Sequence, residues 1–122
     1  MVAFVAWFAL VVGVGIIGLW TVLLATGQVP EVAEGDPAIW FHLAAEYLLG
    51  ITLVVSGSLI LAVGYEPVPS LLMAAALGST VYSAINSAGY YARTRTWGVV
   101  GAFALVMALV TAALVITIST WA

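Results

Sequence analysis

The chain has 122 residues, 66% of them hydrophobic and only 6% charged, with a mean hydropathy of +1.28, whereas a soluble domain carries about 25% charged residues. Five acidic residues against two basic ones give a net charge of −3, which excludes a basic surface for nucleic acid and a polybasic segment for anionic lipid headgroups. The absence of cysteine excludes disulfides, thiolate nucleophiles and iron–sulfur clusters.

At roughly 20 apolar residues per crossing, the length accommodates about four transmembrane helices joined by short loops. The first apolar run extends from about Val2 to Thr26. It exceeds the roughly 7–15 apolar residues of a signal-peptide core and lacks a positive n-region, so it is expected to be a retained helix. Within it, Gly13-Val14-Gly15-Ile16-Ile17-Gly18 matches G-x-G-x-x-G, but the dinucleotide fingerprint needs a preceding strand. Close helix packing is the better reading, and Ala9 and Gly13 have the four-residue spacing of such contacts.

Gly27, Gln28, Pro30, Glu31, Glu34, Gly35 and Asp36 form a polar, helix-breaking connection. Asp36-Pro37 is a start signal, because aspartate caps unpaired backbone N–H groups and proline is tolerated at the first helical position. A second helix is expected over about 37–63. Gly64 to Ser70 contains two prolines, each of which pushes its predecessor out of the α region, and a third helix follows over about 70–91. Ala92-Arg93-Thr94-Arg95 is the last break; threonine there can cap a fourth helix over about 96–121. On that helix Ala104, Ala108 and Ala112 recur every fourth residue, with Gly101 nearby, a stripe suited to packing within one chain or between copies.

Short connections make each helix return beside its predecessor. The expected fold is an all-α integral membrane protein over 1–122, a single antiparallel, up-down-up-down four-helix bundle, multi-pass in the cell membrane. The connections 27–36 and 92–96 then share one face with Trp40, Phe41, Tyr90, Tyr91 and Trp97, while Phe4, Trp7, Tyr65 and Trp121 collect at the other, as aromatic belts do. Arg93 and Arg95 place their loop in the cytoplasm by the positive-inside rule, with both termini outside.

His42 and Glu46 are the informative residues. Four apart on a helix, they share a face, about 7–8 Å and about 13–14 Å from the helix start at Pro37. Ser79, Ser83, Asn86 and Tyr90 form a 4-3-4 stripe on the third helix, with Asn86 about 7–8 Å and Ser83 about 12 Å below its end. Tyr82 and Thr21 stand at similar heights, and Ser56 projects in nearly the same direction as His42 but deeper. Hydroxyls of this kind often serve as interhelical glue or bond their own backbone, and a His–Glu pair can satisfy itself. An acidic side chain inside a membrane is by default a functional-site candidate, since it costs about 2.5–3.5 kcal/mol at a helix centre.

Two ligands per chain fall short of the roughly four of a closed metal site, so a metal needs an oligomer or water. Haem needs one axial histidine per chain paired across a dimer. The cofactor is therefore left unassigned. No nucleophile–base–orienter set is visible, so an enzyme is the least favoured class. The expected function is binding or proton-coupled passage of a small ligand or ion through a cluster of His42, Glu46, Tyr82, Ser83, Asn86 and Tyr90. The alternative is a non-catalytic accessory subunit of a larger membrane complex. Expected partners are the lipid bilayer and a homo-oligomer or larger membrane complex.

Overall fold

Long apolar runs punctuated by glycine, proline and charge fold into helices, and a computed structural model describes residues 2–121. Helix α1 spans Val2–Ala25, α2 Pro30–Ala33, α3 Ala38–Val63, α4 Pro67–Arg93 and α5 Trp97–Trp121. The described residues are all-helical, and four of the helices are long and apolar enough to cross a membrane.

Two boundaries differ from the sequence reading. Helix α4 begins at Pro67, ahead of the expected position near Ser70, because Pro67 and Pro69 both fall in the first turn. Backbone N–H groups of a first turn have no helical partner, so prolines, which lack that group, fit there and open the helix they were expected to delay. The short α2 inside the 27–36 connection was not anticipated; it too starts on a proline, Pro30, and four residues are too few to carry a hydrophobic period. The Asp36 start signal is present as expected, with Asp36 Oδ1 accepting from the Ala38 N–H at 3.0 Å. Thr94 does not cap α5. Its hydroxyl donates to Tyr91 O at 3.1 Å and so closes the end of α4.

Three helices end in the same way. After α1, Gln28 N–H reaches Leu23 O and Gly27 N–H reaches Leu24 O, the paired bonds of a Schellman motif. The same pair recurs after α2 through Asp36 and Gly35, and after α4 through Thr96 and Arg95. The motif needs a left-handed residue, supplied by Gly27 at φ 68°, Gly35 at φ 72° and Arg95 at φ 57°. Only the last of these carries a side chain, in a conformation that disfavours one.

Helix α1 packs along α3 and α4 along α5; the two pairs meet through α3 and α4, and α1 barely touches α5. The α1–α3 crossing is backbone to backbone. A Cβ on Gly13 would lie 2.7 Å from Gly50 O, one on Gly50 2.7 Å from Ile17 Cγ1, and one on Gly57 2.8 Å from Ala6 O. Gly15 and Gly18 face nothing, so the packing role expected of the glycine run falls to Gly13 and the buried Ala9. On α5, Gly101, Ala104, Ala108 and Ala112 are exposed; the small-residue stripe points away from the chain.

The shared core lies toward the end that carries the 64–66 turn. Val5, Ala6 and Ala9 of α1 meet Leu53 and Ile60 of α3, Met73 and Leu77 of α4, and Val110 and Ala113 of α5. At the other end a smaller cluster, Val29, Ile39 and Leu43, packs with Trp20, Leu23, Leu24 and Val32. That cluster draws on α1, α2 and α3 and includes no residue of α4. Two polar atoms buried in the packed half, Tyr65 Oη and Ser70 Oγ, have no hydrogen-bond partner, and burial pushes the Tyr65 phenol above its ordinary range.

Two sets of substitutions test this packing in thermal or denaturant unfolding of the detergent-solubilised protein. Gly13→Ala, Gly50→Ala or Gly57→Ala should each destabilise by about 1–3 kcal/mol, the usual cost of overpacking, whereas Gly15→Ala and Gly18→Ala should not destabilise. Ser70→Ala and Tyr65→Phe remove unpartnered hydroxyls and should leave stability unchanged or raise it by up to about 1 kcal/mol. A loss of stability on Gly18→Ala matching that of Gly13→Ala would contradict the crossing described.

Candidate functional site

Because the shared core stops short of the 94–96 turn, α3 and α4 enclose a cleft of about 450 Å³ there. Its polar lining is His42, Glu46, Ser79, Tyr82, Ser83 and Asn86, together with Thr52; Ala45, Leu48, Leu49, Ala75 and Ala76 form the apolar walls. On α3, residues 42, 45, 49 and 52 follow helical spacing, and on α4 so do 75, 79, 82 and 86, so each helix contributes one continuous stripe. The alanines leave room that larger side chains would fill.

Glu46 is half-buried, and its Oε1 accepts a hydrogen bond from the Ser83 hydroxyl at 2.6 Å. This contact joins α3 to α4 at the matched depths that the sequence implied. The neighbouring hydroxyls point their protons into their own helices, Ser79 to Ala75 O at 2.8 Å and Thr52 to Leu48 O at 2.7 Å. Asn86 lines the cleft one turn from Ser83 and is exposed, as is Tyr82.

The His42–Glu46 pair does not close on itself. Glu46 turns to Ser83, and the His42 ring lies edge-on to Trp20 of α1, with centroids 5.4 Å apart and planes at 81°. His42 thus touches α1 while still lining the cleft mouth.

Tyr90 is not brought together with the other expected site residues. It lies outside the cleft, where its hydroxyl donates to Glu31 Oε1 at 3.4 Å, linking the end of α4 to α2. Its place on the α4 stripe was read properly, but the cleft ends before the stripe does. Thr21 and Ser56 also stand elsewhere. The Thr21 hydroxyl donates to Ile17 O at 2.6 Å, so its 2.7 Å contact with Tyr47 Oη has Tyr47 as donor, a bond between α1 and α3. Ser56 is fully buried where α3 meets α4, donating to Leu53 O at 3.2 Å and contacting Met73 Sδ at 3.7 Å.

Thr52 and Tyr47 went unnoticed in the sequence. Thr52 stands seven residues after Ala45 on the same face, a signal masked because an isolated threonine in an apolar helix resembles backbone-bonded filler. Among the described residues no three histidine or acidic side chains gather to hold a metal. The groups in the cleft able to donate to one are His42 and Glu46.

A double-mutant cycle tests the cross-helix contact. Glu46→Gln combined with Ser83→Ala should show a coupling of about 0.5–2 kcal/mol, the range for polar pairs between apolar helices. Glu46→Gln with Asn86→Ala should show a smaller one. Independent behaviour of Glu46 and Ser83 in unfolding would overturn the bond.

No curated protein and no solved structure matches the chain. A family match covers residues 1–122, and the chain belongs to that family, DUF8058, whose description is a domain of unknown function.

Proposed function

We propose that the chain is an integral protein of the cell membrane, crossing it four times up-down-up-down as a single domain, and that the α3–α4 cleft binds or passes a small ligand or ion with a proton exchanging at Glu46. The membrane setting is supported by the outward faces of all four long helices, which carry large apolar side chains such as Val11, Ile51, Leu71 and Leu105. Exposed aromatics stand at both ends, Trp40, Phe41 and Trp97 at one and Phe4, Trp7 and Trp121 at the other, as at two membrane interfaces. The antiparallel course is supported by contact register. Along α1, Ala6, Gly13 and Thr21 meet Gly57, Gly50 and Tyr47 of α3 in reverse order, and Glu46 and Ser56 meet Ser83 and Met73 of α4 likewise. The Arg93–Arg95 connection then faces the cytoplasm by the positive-inside rule.

The observation that carries the functional reading is the half-buried Glu46 carboxyl, bonded to Ser83 and open to a cleft. An acidic side chain deep in a membrane costs about 2.5–3.5 kcal/mol, while one interhelical polar bond returns about 0.6–1.7 kcal/mol. The bond alone does not offset the burial. The remainder is recovered if the second oxygen meets water, a proton or a ligand in the cleft. Nothing arranged there resembles a nucleophile with its base, so binding or passage is favoured over catalysis.

A second reading, that of an accessory subunit docked in a homo-oligomer or larger membrane complex, is favoured by the outward stripe of Gly101, Ala104, Ala108 and Ala112 on α5.

Reconstitution into liposomes containing a trapped pH dye separates the two. Under the leading reading the protein raises proton flux after an external pH step, alone or with a transported solute. Glu46→Gln reduces that flux by about tenfold or more, and Ser83→Ala reduces it less. Flux equal to that of empty vesicles, or unchanged by Glu46→Gln, favours the accessory subunit.

A further inference from the structure

Resting on the reading of the cleft as a binding site, we propose that its ligand is a small primary ammonium ion, a protonated amine on a short apolar chain. The inference comes from counting protons. A hydroxyl has one proton to donate and two lone pairs to accept with. Apart from the exposed Tyr82, which stands between Ser79 and Ser83 on α4, three hydroxyls line the cleft from Glu46 toward the packed end, and each has committed its proton: Ser83 to Glu46 Oε1, Ser79 to Ala75 O and Thr52 to Leu48 O. What they present inward is lone pairs only. The carboxylate adds acceptors and no donor. With the Tyr82 phenol as its one side-chain donor, this half of the cleft is dominated by acceptors.

Charge selects in the same direction. Glu46 is the one acidic residue within the four long helices, and both arginines lie at the 93–95 connection, so the cleft holds a negative group with no fixed cation beside it. An anion is repelled, and a neutral ligand leaves the carboxylate uncompensated. A quaternary ammonium meets the charge but offers no N–H to the lone pairs. A primary ammonium brings the charge and three N–H donors, as a lysine head does, and charge-assisted bonds of this kind are the stronger ones. Ala45, Leu48, Leu49, Ala75 and Ala76 supply the apolar surface for its chain, and on α3 that surface runs from Ala45 to Leu49, about one turn or 6 Å, which suits a short chain. His42 and Asn86, which retain protons of their own, line the rest of the cleft, where Asn86 Oδ1 can accept from the same head.

The test is calorimetric titration of the purified full-length chain in detergent at pH 7 with n-butylammonium, n-butyltrimethylammonium and butyrate. Butylammonium should bind about tenfold or more tightly than butyltrimethylammonium, the equivalent of about one charge-assisted hydrogen bond, and butyrate should not bind. Glu46→Gln should weaken butylammonium by about tenfold, and Ser79→Ala and Thr52→Val by a smaller factor without affecting the quaternary ion; neither of the latter removes the α3–α4 contact. Circular dichroism confirms that each variant folds, and the comparison of the three probes on the unmodified chain needs no variant. Equal affinity for the two cations, binding of butyrate, or no binding of butylammonium overturns the proposal. If flux in liposomes still depends on Glu46 in that event, the ammonium assignment fails and the site stands; if that dependence is absent too, both fail.

Discussion

Between helices that are apolar on every side, ordinary hydrophobic burial supplies little preference for one contact face over another, and close backbone approach takes its place. Here that approach is made by Gly13 and Gly50, with Gly57 against Ala6. With no Cβ between the two backbones, α3 is held against α1 in one rotational setting. That setting turns Tyr47 toward Thr21, and by the same rotation it turns Glu46 toward α4. The position of the carboxyl is thus a consequence of glycines about one and about three turns farther along the same side of its helix.

The second contributor is uneven packing along the α3–α4 contact. In the packed half Leu53, Ile60, Met73 and Leu77 interlock, and Ser56 reaches Met73. In the other half, alanines and hydroxyls face one another and the space stays open. A cleft of that kind is a deviation from interior packing density, sustained because alanines and small hydroxyl side chains stand along much of it where larger residues would fill the space. Replacing Ala75 or Ala76 with leucine would close it without removing a single polar group.

Much of the architecture was legible in the sequence because it depends on long-range averages. Runs of more than twenty apolar residues, interrupted where glycine, proline and charge coincide, mark the four long helices within a few residues. His42, Glu46, Ser83 and Asn86 were legible for a different reason: polar residues are so scarce in these runs that each has to be accounted for, and helix rise converts their positions into depths. The details that escaped are those fixed by contact. Pro67 and Pro69 read equally well as a stop or a start until the first turn is placed. The stripe on α5 gave no sign of facing outward, since small residues suit either side. The rotation that sends His42 to Trp20 and leaves Tyr90 with Glu31 depends on the glycine crossing, which composition does not encode.

Glu46 and Tyr47 are consecutive, and consecutive helical residues point about 100° apart. One reaches Ser83 of α4 and the other Thr21 of α1. Helix α3 is therefore locked in torsion, since any twist that tightens one of these bonds strains the other. Across the cleft the α1–α3 and α4–α5 pairs, each more closely packed within itself than against the other, are joined by the Glu46–Ser83 bond. The Ser56–Met73 contact lies ten residues or about 15 Å along α3 from Glu46, so the bond that crosses the cleft stands well apart from the packed half, where loss of it is least compensated by neighbouring contacts.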